Sequence, residues 1–191
     1  MSVRSAASPS CRLACWLPLY RCRAKGSNIQ EGPGLNIARI EKNGRTFEYI
    51  SGEDPILGGQ LGVRVVAGIQ KNVMAIAKHY ILNNQETDRS GGNMIADEKT
   101  IMELYAPPFE AVAATVAGYM CSYNRVNGKP VIAQPATLSE CKHWPHYYAR
   151  VHAEYFARNL AGVYACENPT TLRKMLKGYY NFSGFVVSDC K

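Results

Sequence analysis

The sequence lacks three features, each of which would have fixed a class of function. It has no run of about 18 or more apolar residues, so no membrane-spanning helix is expected. None of its seven cysteines forms a CxxC pair. Odd in number and scattered, they define neither a zinc ribbon nor a closed disulfide framework. It also lacks an evenly spread basic surface, although the formal net charge is +7. Arg4, Arg12, Arg21, Arg23 and Lys25 fall in residues 1–25 without a single acid, and residues 129–162 set Lys129, Lys142, Arg150 and Arg158 against Glu140 and Glu154. The rest of the chain sums to zero, which argues against a nucleic-acid partner, since the charge belongs to two stretches and not to a face that tracks phosphates.

The first of these stretches, MSVRSAASPSCRLACWLPLYRC, mixes Ser, Arg and Cys around a short apolar run that Arg12 interrupts. It fits a secretory signal poorly and a transit peptide only loosely, so it assigns no compartment; residues 1–22 are expected to lie outside the fold. The second stretch holds Cys141, His143, His146 and His152, a metal cluster in outline whose spacing matches no zinc signature.

What is present is enough apolar material for a core, 47% of 191 residues, arranged in alternating patterns. LNIARI (35–40) reads as a short strand. After GEDP, Leu57, Leu61, Val65 and Ile69 recur at helical spacing, and VMAIAKHY (73–80) reads as a buried strand. Asp97 is placed to cap a helix carrying Ile101, Leu104 and Tyr105, which Pro107 and Pro108 break or restart before Phe109, Val112 and Val116. YMCSYN (119–124) is another strand. Asn168 and Pro169 then open a helix with Leu172, Met175, Leu176 and Tyr179 on one face, before the strand GFVVSD. Continuous apolar strands alternating with helices predict an α/β fold with parallel strands buried on both faces. In such folds the chemistry sits at the carboxyl ends of the strands, which here read AKHY, CSYN and VSDC.

Asp189, at the tip of the last strand, has the chemistry of a nucleophile, a general base or a metal ligand, and equally that of a helix N-cap. Lys78 and His79 are adjacent, so a regular strand points them to opposite faces; both meet one ligand only if the strand twists or ends there. Arg45 follows the turn KNG, with GEDP as its nearest source of polar partners. Tyr123 and Asn124 have the means to stack on and hydrogen-bond a ligand, although aromatic residues more often pack.

In order along the chain, NGRTFEYISGEDPILGGQLGVRVVAGIQ, VMAIAKHYILNNQETDR, LYAPPFEAVAATVAGYMCSYNRVNG and VYACENPTTLRKMLKGYYNFSGFVVSDC resemble the first domain of family 3 glycoside hydrolases, above all its beta-glucosidase branch. The resemblance covers roughly residues 23–128 and 163–191. It implies a (β/α)8 TIM-type barrel and a retaining, exo-acting hydrolysis of a terminal beta-glucoside or oligosaccharide, with no cofactor and no metal. By the same resemblance Asp189 is the nucleophile of the GFVVSD motif. Arg45, Lys78 and His79 hold the hydroxyls of the departing sugar, Tyr123 lies beside the reacting carbon, and Cys121 and Cys166 are a possible disulfide. Family members that cleave N-acetylglucosaminides carry a glycine-rich loop after Lys-His where this chain has KHYILNNQE, so the resemblance points to a glucoside, with a xyloside as runner-up.

Three departures qualify this. Cys190 stands where relatives place a tryptophan. The acid/base carboxylate of the glucosidase branch comes from a later domain and is assigned to no residue here. Relatives pass from NG to YAC almost directly, whereas residues 129–162 intervene in this chain. Residues 23–191 are therefore expected to be an incomplete barrel domain, truncated after the nucleophile strand and interrupted at 129–162. Alone it is expected to be inactive, and the alternative is a non-catalytic remnant or a weak sugar-binding protein.

Overall fold

The structure is a computed structural model that describes residues 23–90, 92–127 and 163–189. The leader 1–22, the segment 129–162 with Cys141, His143, His146 and His152, and Cys190 lie outside the described residues.

Four strands, β1 (Ile29–Gln30), β2 (Met74–Tyr80), β4 (Gly118–Cys121) and β7 (Phe185–Ser188), form one sheet in the order β1-β2-β4-β7, parallel at every pairing. The sequential order, with a helical connection between neighbours, is the repeated βαβ unit that continuous apolar strands predict. A second, smaller sheet joins β3 (Asn93–Met94), β5 (Arg125–Val126) and β6 (Val163–Tyr164), the last pair antiparallel.

Helix α1 (Pro55–Ile69) begins where the Asp54 carboxylate accepts hydrogen bonds from the Ile56 and Leu57 amides at 2.8 and 3.1 Å, with Pro55 in the first turn. Two of its glycines face helix α2 (Pro107–Val112): a Cβ at Gly59 would lie 2.9 Å from that of Ala111, and one at Gly62 would lie 3.0 Å from Val112 Cγ1. Lack of side chains thus lets the two helices approach closely. Asp97 caps the turn Glu98–Thr100 through the Thr100 amide, and a π-type turn, Ile101–Tyr105, leads into α2, where the two prolines occupy the first turn instead of ending the helix.

Helix α3 (Thr170–Tyr179) is capped as its sequence predicts, by Asn168 Oδ1 accepting from the Thr170 and Thr171 amides at 2.9 and 3.3 Å. Its winding is of the π type, and the Tyr180 amide bonds back five residues to Met175 O. This looser winding turns Tyr179 to solvent, 39% exposed, and buries Thr171, Met175, Leu176 and Tyr180, so the expected apolar stripe is corrected at its last position. An aromatic cluster then ties helix to sheet. The Tyr80 ring lies 5.3 Å from Phe109 and 5.5 Å from Tyr119, and Tyr119 lies 4.7 Å from Phe182. Two hydroxyls of the cluster bond back to helical carbonyls: Tyr119 donates to Phe109 O at 2.6 Å and Tyr80 to Thr171 O at 3.1 Å.

Two expectations fail. Residues 35–40 are not a strand; the strand at that edge is β1, which the sequence reading missed. Leu35 and Ile37 are buried, but along β2 their main chain forms only the bridge Gly34–Lys78 and the bond from Leu35 N to Lys78 O, not a ladder. Its other polar groups bond to loops, Ala38 N to Gly52 O among them, so the segment packs as an irregular chain. The final strand is also less buried than predicted, with Phe185 42% and Val187 38% exposed, because β7 has a neighbour on one side only among the described residues.

Gly184, at the entry to β7, sits so close to the Ala117 carbonyl and the Phe182 ring that a Cβ there would overlap both. Gly184→Ala is expected to destabilise the fold by roughly 1–3 kcal/mol. In a denaturant titration this appears as a lower midpoint with an unchanged slope.

Candidate active site

Because the four strands are parallel, their carboxyl ends meet at one side, and the register sets Tyr80 beside Cys121 and Cys121 beside Ser188. Lys78 and His79 end β2, Tyr123 follows β4, and Asp189 follows β7. The alternation that would separate Lys78 from His79 is broken by a register shift between Ala77 and Tyr80, so both reach the same end of the sheet.

His79 is fully buried. Asn36, from the irregular 35–40 segment, grips its main chain from both sides: Asn36 Oδ1 accepts from the His79 amide at 2.7 Å, and Asn36 Nδ2 donates to the His79 carbonyl at 3.1 Å. The Tyr49 hydroxyl lies 3.1 Å from Nδ1, and Asp189 Oδ2 lies 3.4 Å from Nε2. Burial, reinforced by the Arg45 and Lys78 charges, pushes the imidazole pKa down to about 3, so the ring is neutral near pH 7. Burial also pushes the Tyr49 hydroxyl well up, which keeps its proton in place. The tautomer that serves both contacts has Tyr49 donating to Nδ1 and the Nε2 proton facing Asp189. Tyr123 hydrogen-bonds to Asp189, and its hydroxyl is raised by burial and then by the Asp189 charge and that hydrogen bond.

Beside this pair lies a web of charges. Glu48 bonds to Arg45 Nε and sits 3.1 Å from Lys78 Nζ. Burial pushes the Glu48 carboxyl up, but the Arg45 and Lys78 hydrogen bonds and charges outweigh it, and its pKa lies below the usual value. Burial works against the Arg45 charge in the same way, and Glu48 with Glu86 reverses it, leaving the guanidinium above its ordinary value. Glu86 reaches Arg45 at 3.7 Å and Arg89 at 2.6 Å, and the Arg89 guanidinium stacks 4.4 Å over the Tyr123 ring.

The polar partners of Arg45 are therefore Glu48 and Glu86, not GEDP, whose Asp54 caps α1. Asn124 is a structural residue, not an exposed ligand contact: it is fully buried and donates to the carbonyls of Ile81 and Arg125, both at 3.2 Å. Cys121 and Cys166 are joined by a disulfide with Cα atoms 5.1 Å apart, two residues from Tyr123. Sequence reasoning missed Asn36, Glu48, Tyr49, Glu86 and Arg89. Of these only Glu48, three residues after Arg45 and of opposite charge, left a readable signal. Among the described residues no group of His, Cys, Asp and Glu is placed to hold a metal ion.

The site favours strand-end carboxylate chemistry. Asp189 is 10% exposed, mounted on a strand tip and faced by the neutral His79 ring and the Tyr123 hydroxyl, and a web of cations with their carboxylates lies beside this pair. It also sets a pH dependence. The folded-state pKa of His79 lies near 3 and the unfolded one near 6.5, so the unfolded chain binds the extra proton between these values. Stability is expected to be fully present above pH 6.5 and to fall as pH drops toward about 3, read as a declining free energy of unfolding in denaturant titrations. His79→Asn should flatten the His79 part of this slope.

The glycosyl hydrolase family 3 N terminal domain matches residues 11–142. Probable beta-glucosidase L of Emericella nidulans is 35% identical over 87% of this chain and 18% of its own length, and beta-glucosidase BoGH3A of Bacteroides ovatus is 38% identical over 94% and 21%. Among solved structures, the beta-glucosidase DesR of Streptomyces venezuelae in complex with D-glucose superposes with a TM-score of 0.72 at 29% identity, covering 94% of this chain and 19% of that one. Beta-glucosidase 3B of Thermotoga neapolitana with glucose gives 0.72 at 28%, covering 94% and 21%. The chain thus spans about a fifth of the length of these relatives. Its parallel α/β sheet corresponds to part of their (β/α)8 barrel domain, and the chain belongs to the glycosyl hydrolase family 3 N-terminal domain family.

Proposed function

We propose that this chain carries the nucleophile and sugar-gripping part of a retaining, exo-acting beta-glucosidase site. The observation that carries the reading is Asp189 at the tip of β7, faced by His79 Nε2 at 3.4 Å and by the Tyr123 hydroxyl. In this reading the Asp189 carboxylate attacks the anomeric carbon and the bond to the leaving oxygen breaks. The resulting glycosyl ester is hydrolysed by water. His79 and Tyr123 orient the carboxylate by donating to it, and Lys78 and Arg45, held in place by Glu48, donate to sugar hydroxyls. Glucose is favoured over xylose because the relatives named above are beta-glucosidases and two of them hold glucose.

A retaining reaction needs a second carboxyl about 5–5.5 Å from the first to protonate the leaving group. Glu48, held ionised by Arg45 and Lys78, is unsuited to that role near neutrality, and Glu86 is engaged by two arginines. A second reading, a non-catalytic sugar-binding domain, is favoured by the Arg45–Glu48–Lys78 web, whose groups suit gripping sugar hydroxyls and need no proton transfer.

The two readings separate with a dinitrophenyl beta-glucoside, whose leaving group departs without a proton, carrying fluorine beside the anomeric carbon so that the glycosyl ester accumulates. The expected outcome is a covalent adduct on the peptide containing Asp189. The Asp189→Asn variant should form none, and its turnover of the unfluorinated glucoside should fall by several orders of magnitude. An adduct on another residue would sink the assignment of Asp189. Glucose binding by calorimetry without any adduct would favour the sugar-binding domain.

A further inference from the structure

The turn between α3 and β7 reads Asn181-Phe182-Ser183, an Asn-x-Ser triplet whose middle residue is not proline. The sequence holds a second Asn-x-Thr triplet, Asn168-Pro169-Thr170, and the contrast between the two is instructive. In the second, proline stands in the middle, Asn168 is buried at 2% exposure, and its side-chain oxygen is committed to capping α3. In the first, Asn181 and Ser183 are both exposed, whereas Phe182 between them is buried at 3% and locked against the Tyr119 ring 4.7 Å away, with Lys177 Nζ 4.4 Å over its other side. The anchored aromatic fixes the turn and leaves its two polar neighbours to solvent. Asn181 has φ +51°, a left-handed conformation that asparagine adopts more readily than most residues and that marks a tight turn.

Two further observations bear on whether such a triplet would be used. The Cys121–Cys166 disulfide belongs to chains that fold in an oxidising compartment, the setting in which asparagine is glycosylated. The turn also precedes β7 while Asp189 follows it, so the four-residue strand Phe185–Ser188 separates a bulky adduct on Asn181 from the candidate active site.

We infer that Asn181 is an N-glycosylation site. The donor is an oligosaccharide linked to a lipid diphosphate. The bond from its anomeric carbon to the phosphate oxygen breaks and a bond to Asn181 Nδ2 forms. The amide gives up one proton to the transferring enzyme, and the lipid diphosphate leaves with the electron pair, with no change of oxidation state.

The test uses the full chain behind a secretory signal, translated into endoplasmic-reticulum microsomes and read on the protease-protected product, which has by definition reached the compartment. The expected result is a single glycan-sized shift, reversed by peptide N-glycosidase, which in heavy-oxygen water leaves a labelled aspartate at position 181. Ser183→Ala should abolish the shift, and so should Asn181→Asp, a substitution that keeps a residue tolerant of the left-handed turn. A protected product without a glycan, or a shift that survives Ser183→Ala, overturns the inference. Because acceptance is read by mass on translocated chain, neither outcome depends on catalytic activity or on the role of Asp189.

Discussion

Burying a histidine among an aspartate, an arginine and a lysine works only if the imidazole stays neutral, because a charged ring would lose its hydration and face two cations at once. A neutral ring, by contrast, offers one donor and one acceptor at fixed angles. His79 pairs its Nδ1 with the Tyr49 hydroxyl and turns Nε2 toward Asp189 at 3.4 Å, while Asn36 holds its amide and carbonyl. Asn36, Tyr49 and Asp189 therefore converge on one residue of β2. Asn36 reaches there from the irregular 35–40 segment, and it does so with side-chain atoms that need no ladder.

Around that neutral centre the charges are arranged in alternation. Glu48 lies between Arg45 and Lys78, and Glu86 lies between Arg45 and Arg89, so each of these three cations has a carboxylate partner. Partial burial makes these pairs worth more than exposed ones, and the opposing effects of desolvation and pairing on Arg45 and Glu48 show which wins. Arg89 extends the web to the Tyr123 ring and so indirectly to Asp189. The result is preorganisation: donors stand in place before any ligand arrives.

How much of this was legible in the sequence depends on whether the signal was local. Caps at Asp54, Asp97 and Asn168 act over two or three residues, and Asp97 and Asn168 were readable directly. Apolar runs located β2, β4 and β7, and parallel pairing followed from their continuity. Asp189, Lys78, His79 and Tyr123 stood out because they end those runs. The two-residue β1 was invisible, since a pair of residues has no periodicity, and Leu35 and Ile37 mimicked a strand because burial alone selects the same residue types. The π-type winding of α3 shifted its buried face by one position at Tyr180, which no pattern built on 3.6 residues per turn anticipates. Asn36 and Glu86 act across loops, and contacts of that kind leave no spacing to read.

The disulfide between Cys121 and Cys166 spans 45 residues, yet it sets its ends 5.1 Å apart, and just inside it β5 and β6 leave as an antiparallel pair. Whatever the chain does between Val126 and Val163, it departs and returns through a doubly fastened gateway. The entropy of closing such a loop grows only with the logarithm of its length, about 0.6 kcal/mol per doubling. The gateway thus fixes where the two ends of the connection lie, whatever its length. By this arithmetic, the length of chain beyond it weighs little on how Tyr123, two residues from the disulfide, is held beside Asp189.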